Sequence, residues 1–192
     1  MSDQLKMRRV SFDGLPEVVL PPGYRLHSYQ PGDEATWADV INRAGHLGEY
    51  TPEKVKLTLT GLPRFRPEGL LFVVTDEGET VATACAWQSR EDEWAVAQLH
   101  MVAVVPEHQG KRLSYWVSAA VCHVLRQWGT GEVMLLTDEF RKAAVKVYVN
   151  LGFHPVIRSA EHFDRWIAIY REYGLPVAAD RIAEDKRSAG LG

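Results

Sequence analysis

Residues 98–128 read QLHMVAVVPEHQGKRLSYWVSAAVCHVLRQW. Val102, Val104 and Val105 make 98–105 a buried strand, and Pro106 ends it because proline has no N–H to give to a ladder. The next six residues, 107–112, are polar. From about Ser114 the apolar residues Val117, Val121, Val124, Leu125 and Trp128 recur at helical spacing. A strand, a short loop and a helix in that order aim unsatisfied N–H groups and the positive end of a helix dipole at one place. An anion, and a phosphate in particular, is the natural guest there.

The composition narrows what that anion belongs to. At 192 residues the chain fits one domain with a real core, and 46% hydrophobic with 24% charged residues is ordinary globular usage. A formal charge of −3 withholds the Lys/Arg excess that a nucleic-acid binder needs. Basic residues gather locally, at Lys111 and Arg112 beside the helix start. Cys85 and Cys122 sit in apolar runs with no metal-ligand spacing and read as small core residues, as in a reducing cytosol. No apolar run approaches the ~20 residues that span a bilayer. The opening MSDQLKMRRV also lacks the apolar centre of a signal peptide, so the expected location is the cytoplasm, with no membrane partner.

Outward from the central stretch the chain punctuates itself clearly. Residues 1–15 carry few apolar side chains and read as a loose arm, followed by breaks at Pro16, Pro21, Pro22 and Gly23. A strand is expected over 24–29, then a helix over 34–44 capped by Asp33. A second helix starts at Thr51-Pro52 and runs to about Thr60. Residues 70–75, 80–88 and 94–105, with turns at 76–79 and 91–93, form an antiparallel meander. After the central helix come a strand over 133–137 and a helix over 141–151 that stops at Gly152. A short strand over 153–157 and a helix over 161–173 follow. The small and polar residues 176–192 read as a frayed tail, leaving 16–175 as the domain.

This order, β-α-α-β-β-β-α-β-α-β plus a C-terminal helix, resembles the GNAT superfamily of acyl-CoA-dependent N-acyltransferases over about residues 24–158. Two stretches carry the resemblance. VVPEHQGKRLSYWVSAAV at 104–121 is similar to the acyl-CoA motif, strand-V-x-P-E-x-(Q/R)-x-x-G-x-(G/A)-helix. YVNLGF at 148–153 is similar to the closing Y-x-x-L-G-F. The implied fold is α/β, with a mixed, mostly antiparallel central sheet flanked by helices. Gln109 keeps the pattern, whereas Arg112 and Ser114 stand where the family has small glycine or alanine. Arg141 stands where it often has asparagine. Glycine lets a backbone approach a pyrophosphate closely. Serine is small enough to keep that approach, and Arg112 must hold its side chain aside or use it on a phosphate.

What the resemblance implies is acetyl transfer from acetyl-CoA to an amine of a small molecule or peptide by direct attack. The strand backbone of Met101, Val102, Ala103 and Val104 would pair with the pantetheine arm. The N–H groups of Gln109, Gly110, Lys111, Arg112, Leu113 and Ser114 would hold the pyrophosphate, with Lys111 adding charge. Tyr148 matches the tyrosine that protonates the departing thiolate. Where many relatives have a strand glutamate this chain has Gln98, which cannot serve as a base. His100, two residues on and on the same strand face, has a suitable pKa. Glu49, in the loop after the first helix, is a weaker candidate base. The alternative is a non-catalytic acyl-CoA-binding or sensing module of the same fold, and a donor with a longer acyl group is a further variant. The C-terminal helix either covers the sheet edge or joins a second copy, which leaves a homodimer open.

Overall fold

Met101 interrupts the long strand β5 (Glu93–Val104) with a left-handed backbone, φ 51°. The computed structural model describes residues 4–90 and 93–175. In it β5 pairs antiparallel with β4 (Thr80–Arg90), with Cys85 opposite His100 and Thr83 opposite Ala103. Met101 and Val102 therefore share the place opposite Ala84, which makes a β-bulge. The extra residue keeps Gln98, His100 and Ala103 on one face, that of Trp87, Cys85 and Thr83. It also leaves backbone groups around Met101 outside the ladder.

The chain divides into two compact units, Val10–Val133 on the one hand, and Met1–Arg9 with Met134–Gly192 on the other. In the first, β2 (Tyr24–Ser28), β3 (Leu70–Thr75), β4 and β5 lie side by side in that order, each antiparallel to its neighbour. All six residues of β3 are buried, as an uninterrupted LLFVVT run between two strands should be. Helix α1 (Glu34–Ala44) buries Trp37, Val40 and Ile41 at the spacing read from the sequence. Helix α3 (Leu113–Gln127) buries Val117, Val121 and Leu125, with Ala119, Ala120 and Cys122 between them. Gly69 sits where a side chain would collide with the Trp128 ring and the Ala86 methyl, so the end of α3 lies over the Ala86 face of β4.

The start of α1 rests on a buried carboxylate. Asp33 occupies the cap position without bonding a helix N–H through its side chain. Its carboxylate instead accepts from the Gln30 N–H at 2.8 Å. Glu34 accepts from the Tyr29 hydroxyl at 2.7 Å, from Thr60 at 3.1 Å and from the Gly32 N–H at 3.1 Å. Burial works to raise the Glu34 pKa, but these hydrogen bonds and the Lys56 charge outweigh it and the carboxyl is held below its ordinary value. Tyr29 is pushed up to about 12 by burial and by Glu34. Thr60 ends a five-residue π-helical turn, Lys56–Thr60, that continues the short helix α2 (Pro52–Val55). The Thr51 cap on α2 is as expected, its side chain accepting from the Lys54 N–H at 3.3 Å.

The second unit places β1 (Leu5–Arg9) between β6 (Glu132–Thr137), which starts at the end of the first unit, and β7 (His154–Pro155). Here the structure corrects the loose arm expected over 1–15. Leu5, Met7 and Arg9 are buried alternately, and β1 pairs antiparallel with β7, Met7 opposite Pro155. The period-2 pattern was hidden because three of its five residues, Lys6, Arg8 and Arg9, are basic, and one of those, Arg9, points inward. Helices α4 (Lys142–Asn150) and α5 (Ala160–Tyr173) match expectation, whereas the strand expected over 153–157 shrinks to His154–Pro155. The tail 176–192 lies outside the described residues, as does the tip of the 91–93 turn. No helix among the described residues is long and apolar enough to cross a membrane.

Candidate active site

The loop from β5 to α3 begins with a short 3₁₀ turn, Pro106–His108, passes Gly110 at φ 77° and enters the helix through Arg112. The first N–H of this end to find a helical acceptor is Trp116, on the Arg112 carbonyl at 3.2 Å. Those of Leu113, Ser114 and Tyr115 have no intrahelical partner, and Arg112 gives no side-chain cap. Three N–H groups at a dipole's positive end, beside the exposed Lys111 and Arg112, form an anion cradle. Gln109 stays exposed and folds back on the strand end, its amide donating to the Val104 carbonyl at 3.3 Å. That bond takes up one carbonyl of the strand whose backbone the family resemblance would assign to a ligand.

Arg112 adopts a backbone conformation that glycine takes without strain. At φ 60° and ψ 19° it is left-handed, at a cost of about 1–2 kcal/mol for a residue with a Cβ. Its guanidinium lies over the rings of Tyr115 at 4.9 Å and Trp116 at 5.6 Å. The side chain is thus held along the first turn of α3, and the stacking offsets part of the strain.

Residues distant in sequence brace the loop from outside. Lys111 Nζ donates to the Tyr24 hydroxyl at 2.9 Å, and that oxygen lies 2.8 Å from His108 Nδ1. The phenol oxygen thus joins the lysine to the imidazole, whose Nε2 lies 3.6 Å from Glu79. Arg43 of α1 then reaches Glu79 at 2.9 Å and Glu107 at 3.5 Å. Each exposed pair is worth little alone. Together they tie the loop to β2, to α1 and to the β3–β4 turn. Neither Tyr24 nor His108 stands out in the sequence, because the bond joining Tyr24 to Lys111 spans 87 residues.

His100 lies at the bulge, its ring stacked on Trp87 with centroids 5.8 Å apart and planes at 27°. Burial, and secondly the Arg64 charge, lower its pKa to about 4. At neutral pH it is an uncharged imidazole. Glu49 is exposed, and its backbone carbonyl is occupied by Lys54 Nζ. Tyr50 packs edge-on against Trp37 at 5.0 Å and is tied to Asn42 through its backbone. These two belong to the α1–α2 connection. Both cysteines are buried and form no disulfide, as the sequence indicates.

Tyr148 belongs to the other unit. Its place in Y-x-x-L-G-F has a structural explanation. The Phe153 N–H donates to the Tyr148 carbonyl at 2.9 Å, and the Gly152 N–H to Val149 at 2.9 Å. Gly152 itself is at φ 79°. That is a Schellman cap, completed by the edge-on contact of the Tyr148 and Phe153 rings at 6.0 Å. The motif's spacing is therefore helix-ending chemistry and does not by itself assign the phenol a role. Its hydroxyl has no hydrogen-bond partner among the described residues, and burial raises its pKa to about 12 against the Arg141 charge.

A bulged strand running into an uncapped helix through a glycine-like turn has recognisable company. Residues 36–153 match the acetyltransferase (GNAT) family. The chain belongs to that family. It is 33% identical over 148 residues to a mycothiol acetyltransferase of Kocuria rhizophila, covering 71% of this chain and 48% of the relative. A mycothiol acetyltransferase of Thermobispora bispora is 34% identical over 158 residues, covering 77% and 52%. The chain thus spans about half the length of these relatives. Among solved structures, a GCN5-related N-acetyltransferase of Sphaerobacter thermophilus superposes with TM-score 0.66 at 24% identity, over 79% of this chain and 48% of that one. The ribosomal-protein-S18-alanine N-acetyltransferase of Escherichia coli gives 0.55 at 19%, over 68% and 77%. The GNAT fold class expected from the sequence is thereby shown, with an added N-terminal strand.

Proposed function

We propose that this GNAT chain is a cytoplasmic, acetyl-CoA-dependent N-acetyltransferase acting on an amine of a small molecule or peptide. The observation that carries the reading is the Met101 bulge running, within one loop, into the open N–H groups of Leu113, Ser114 and Tyr115. The backbone of Met101–Val104 would hold the pantetheine arm, although Gln109 shares the Val104 carbonyl. The N–H groups of 109–114 would take the pyrophosphate, with Lys111 set in place by Tyr24. The donor, when bound, supplies a thioester open to attack by the amine. His100, neutral at pH 7, accepts the amine proton directly or through a water, and Tyr148 keeps a proton to release to the departing sulfur. Relatives named mycothiol acetyltransferase support a small-molecule acceptor. The catalytic domain would be residues 16–175, extended to Leu5 because β1 pairs with β7.

A second reading, acyl-CoA binding without transfer, is favoured by Gln98 in place of a carboxylate and by the low pKa of His100. A base of that strength draws a proton from an ammonium poorly. Two measurements decide. Acetyl-CoA at tens of micromolar should raise the melting temperature, and no rise overturns the donor assignment. Release of free thiol with a panel of amines then separates transfer from binding alone.

A further inference from the structure

Arg64 lies in the connection between the π-helical turn and β3 (Leu70–Thr75), bracketed by Pro63 and Pro67. Its guanidinium sits over the Trp87 ring, 4.6 Å from the centroid, and the same indole stacks on His100. Trp87 and His100 share a face of the sheet, because Cys85 pairs with His100 and Trp87 with Gln98. Arg64 is half-buried, and no carboxylate among the described residues lies within ion-pair distance of it. Arg43, Arg141 and Arg165 each have one, at 2.9, 3.0 and 2.8 Å. Stacking on an indole attracts the cation but satisfies none of its five N–H donors. A half-buried guanidinium held flat on a ring, with no carboxylate beside it among the described residues, is preorganised for a carboxylate, whose two oxygens fit the fork.

We infer that Arg64, held on Trp87, is the acceptor-recognition residue, and that the acceptor is an amine also bearing a carboxylate, as in an amino acid or a peptide with a free C-terminus. The inference rests on the transferase reading above, in which the amine is delivered to His100, one indole away from the guanidinium. Charge supports it. The Arg64 cation is the second cause holding the imidazole neutral, and an acceptor carboxylate paired with Arg64 offsets that cation while the amine is in place. Recognition and proton acceptance are then served by one stacked array on one sheet face.

The test uses calorimetric titration of the CoA-saturated chain with matched ligands: an amino acid, its carboxamide, its decarboxylated amine, and phosphoethanolamine. The same set serves as acceptors in a thiol-release assay. The carboxylate form should bind about tenfold or more tightly than its carboxamide, and show a matching preference in kcat/KM carried by KM. Arg64→Gln should erase that preference while leaving the acetyl-CoA thermal shift intact, and Arg64→Lys should restore part of it. Equal binding of carboxylate and carboxamide, a preference for the phosphate, or a preference that survives Arg64→Gln overturns the inference, whether or not turnover is seen. A missing acetyl-CoA shift in the unaltered chain overturns the transferase reading instead, so the two failures are told apart.

Discussion

The Arg9 guanidinium donates through Nη1 to the carbonyl of Leu151, the residue that closes helix α4. A cation at a helix C-terminus is favourable to the dipole, and this one meets a carbonyl that the helix leaves unsatisfied. A Cβ on Gly152 would fall on the same Nη1, so the glycine is required twice, by φ 79° and by Arg9. Arg9→Ala should cost about 1–3 kcal/mol, the range for stranding a buried acceptor. Gly152→Ala should cost a similar amount, and the double variant less than the sum, because both remove one arrangement. Urea unfolding of the three variants checks this, and strict additivity would separate the two residues.

His100 makes stability depend on pH with a defined sign. Its pKa falls from 6.5 to about 4 on folding, so between those values the unfolded chain binds a proton that the native one refuses. Stability contributed by the neutral ring is complete above about pH 6.5 and is lost as pH falls toward 4. At roughly 1.4 kcal/mol per unit the loss is on the order of 2–3 kcal/mol. In His100→Asn this loss should vanish, so the melting-temperature gap between the two proteins should change steadily from pH 6.5 to 4. A constant gap would mean that the imidazole titrates normally.

Arg112 tests whether the loop binds through backbone or side chain. Arg112→Gly relieves the left-handed strain but loses the stacking on Tyr115 and Trp116, so stability should stay within about 1 kcal/mol of the parent. Arg112→Val keeps the strain with a branched side chain and should unfold at lower temperature. If the N–H groups do the binding, Arg112→Gly weakens CoA less than tenfold. A larger loss by calorimetry assigns the guanidinium directly to a phosphate.

Deleting Met101 removes the residue that makes the bulge. The register on either side then joins without turning any side chain to the other face, and a left-handed residue disappears. The melting temperature should therefore hold or rise, while acetyl-CoA affinity should drop at least about tenfold as the freed backbone groups return to the ladder. Retained affinity in calorimetry would show that the bulge is incidental to the donor.

Tyr148→Phe separates chemistry from capping. The Schellman hydrogen bonds use only backbone, and the ring contact with Phe153 survives the change. Stability should hardly move, and kcat should fall by about a hundredfold with CoA affinity unchanged. With its pKa near 12 the phenol stays protonated below pH 9, so no alkaline limb from it should appear in the rate profile. Equal losses in turnover and in melting temperature would make the residue structural.

The sequence by itself determined most of the elements, though not β1, and the family. Val117, Val121 and Leu125 announce α3, the LLFVVT run announces a strand buried on both faces, and Gly152 announces the end of α4, because each is a local pattern matched to a local period. It also placed the polar loop at the start of α3, where N–H groups stand open. Only the tertiary structure decided how that loop is braced and what surrounds His100. Tyr24 meets Lys111 across 87 residues and Arg9 meets Leu151 across 142. Arg64, Trp87 and His100 come from a loop and two strands. Nothing in a window of residues records such meetings, since they are set by strand register and packing. The bulge that returns Ala103 to the His100 face depends on pairing with β4, which β5 alone does not specify.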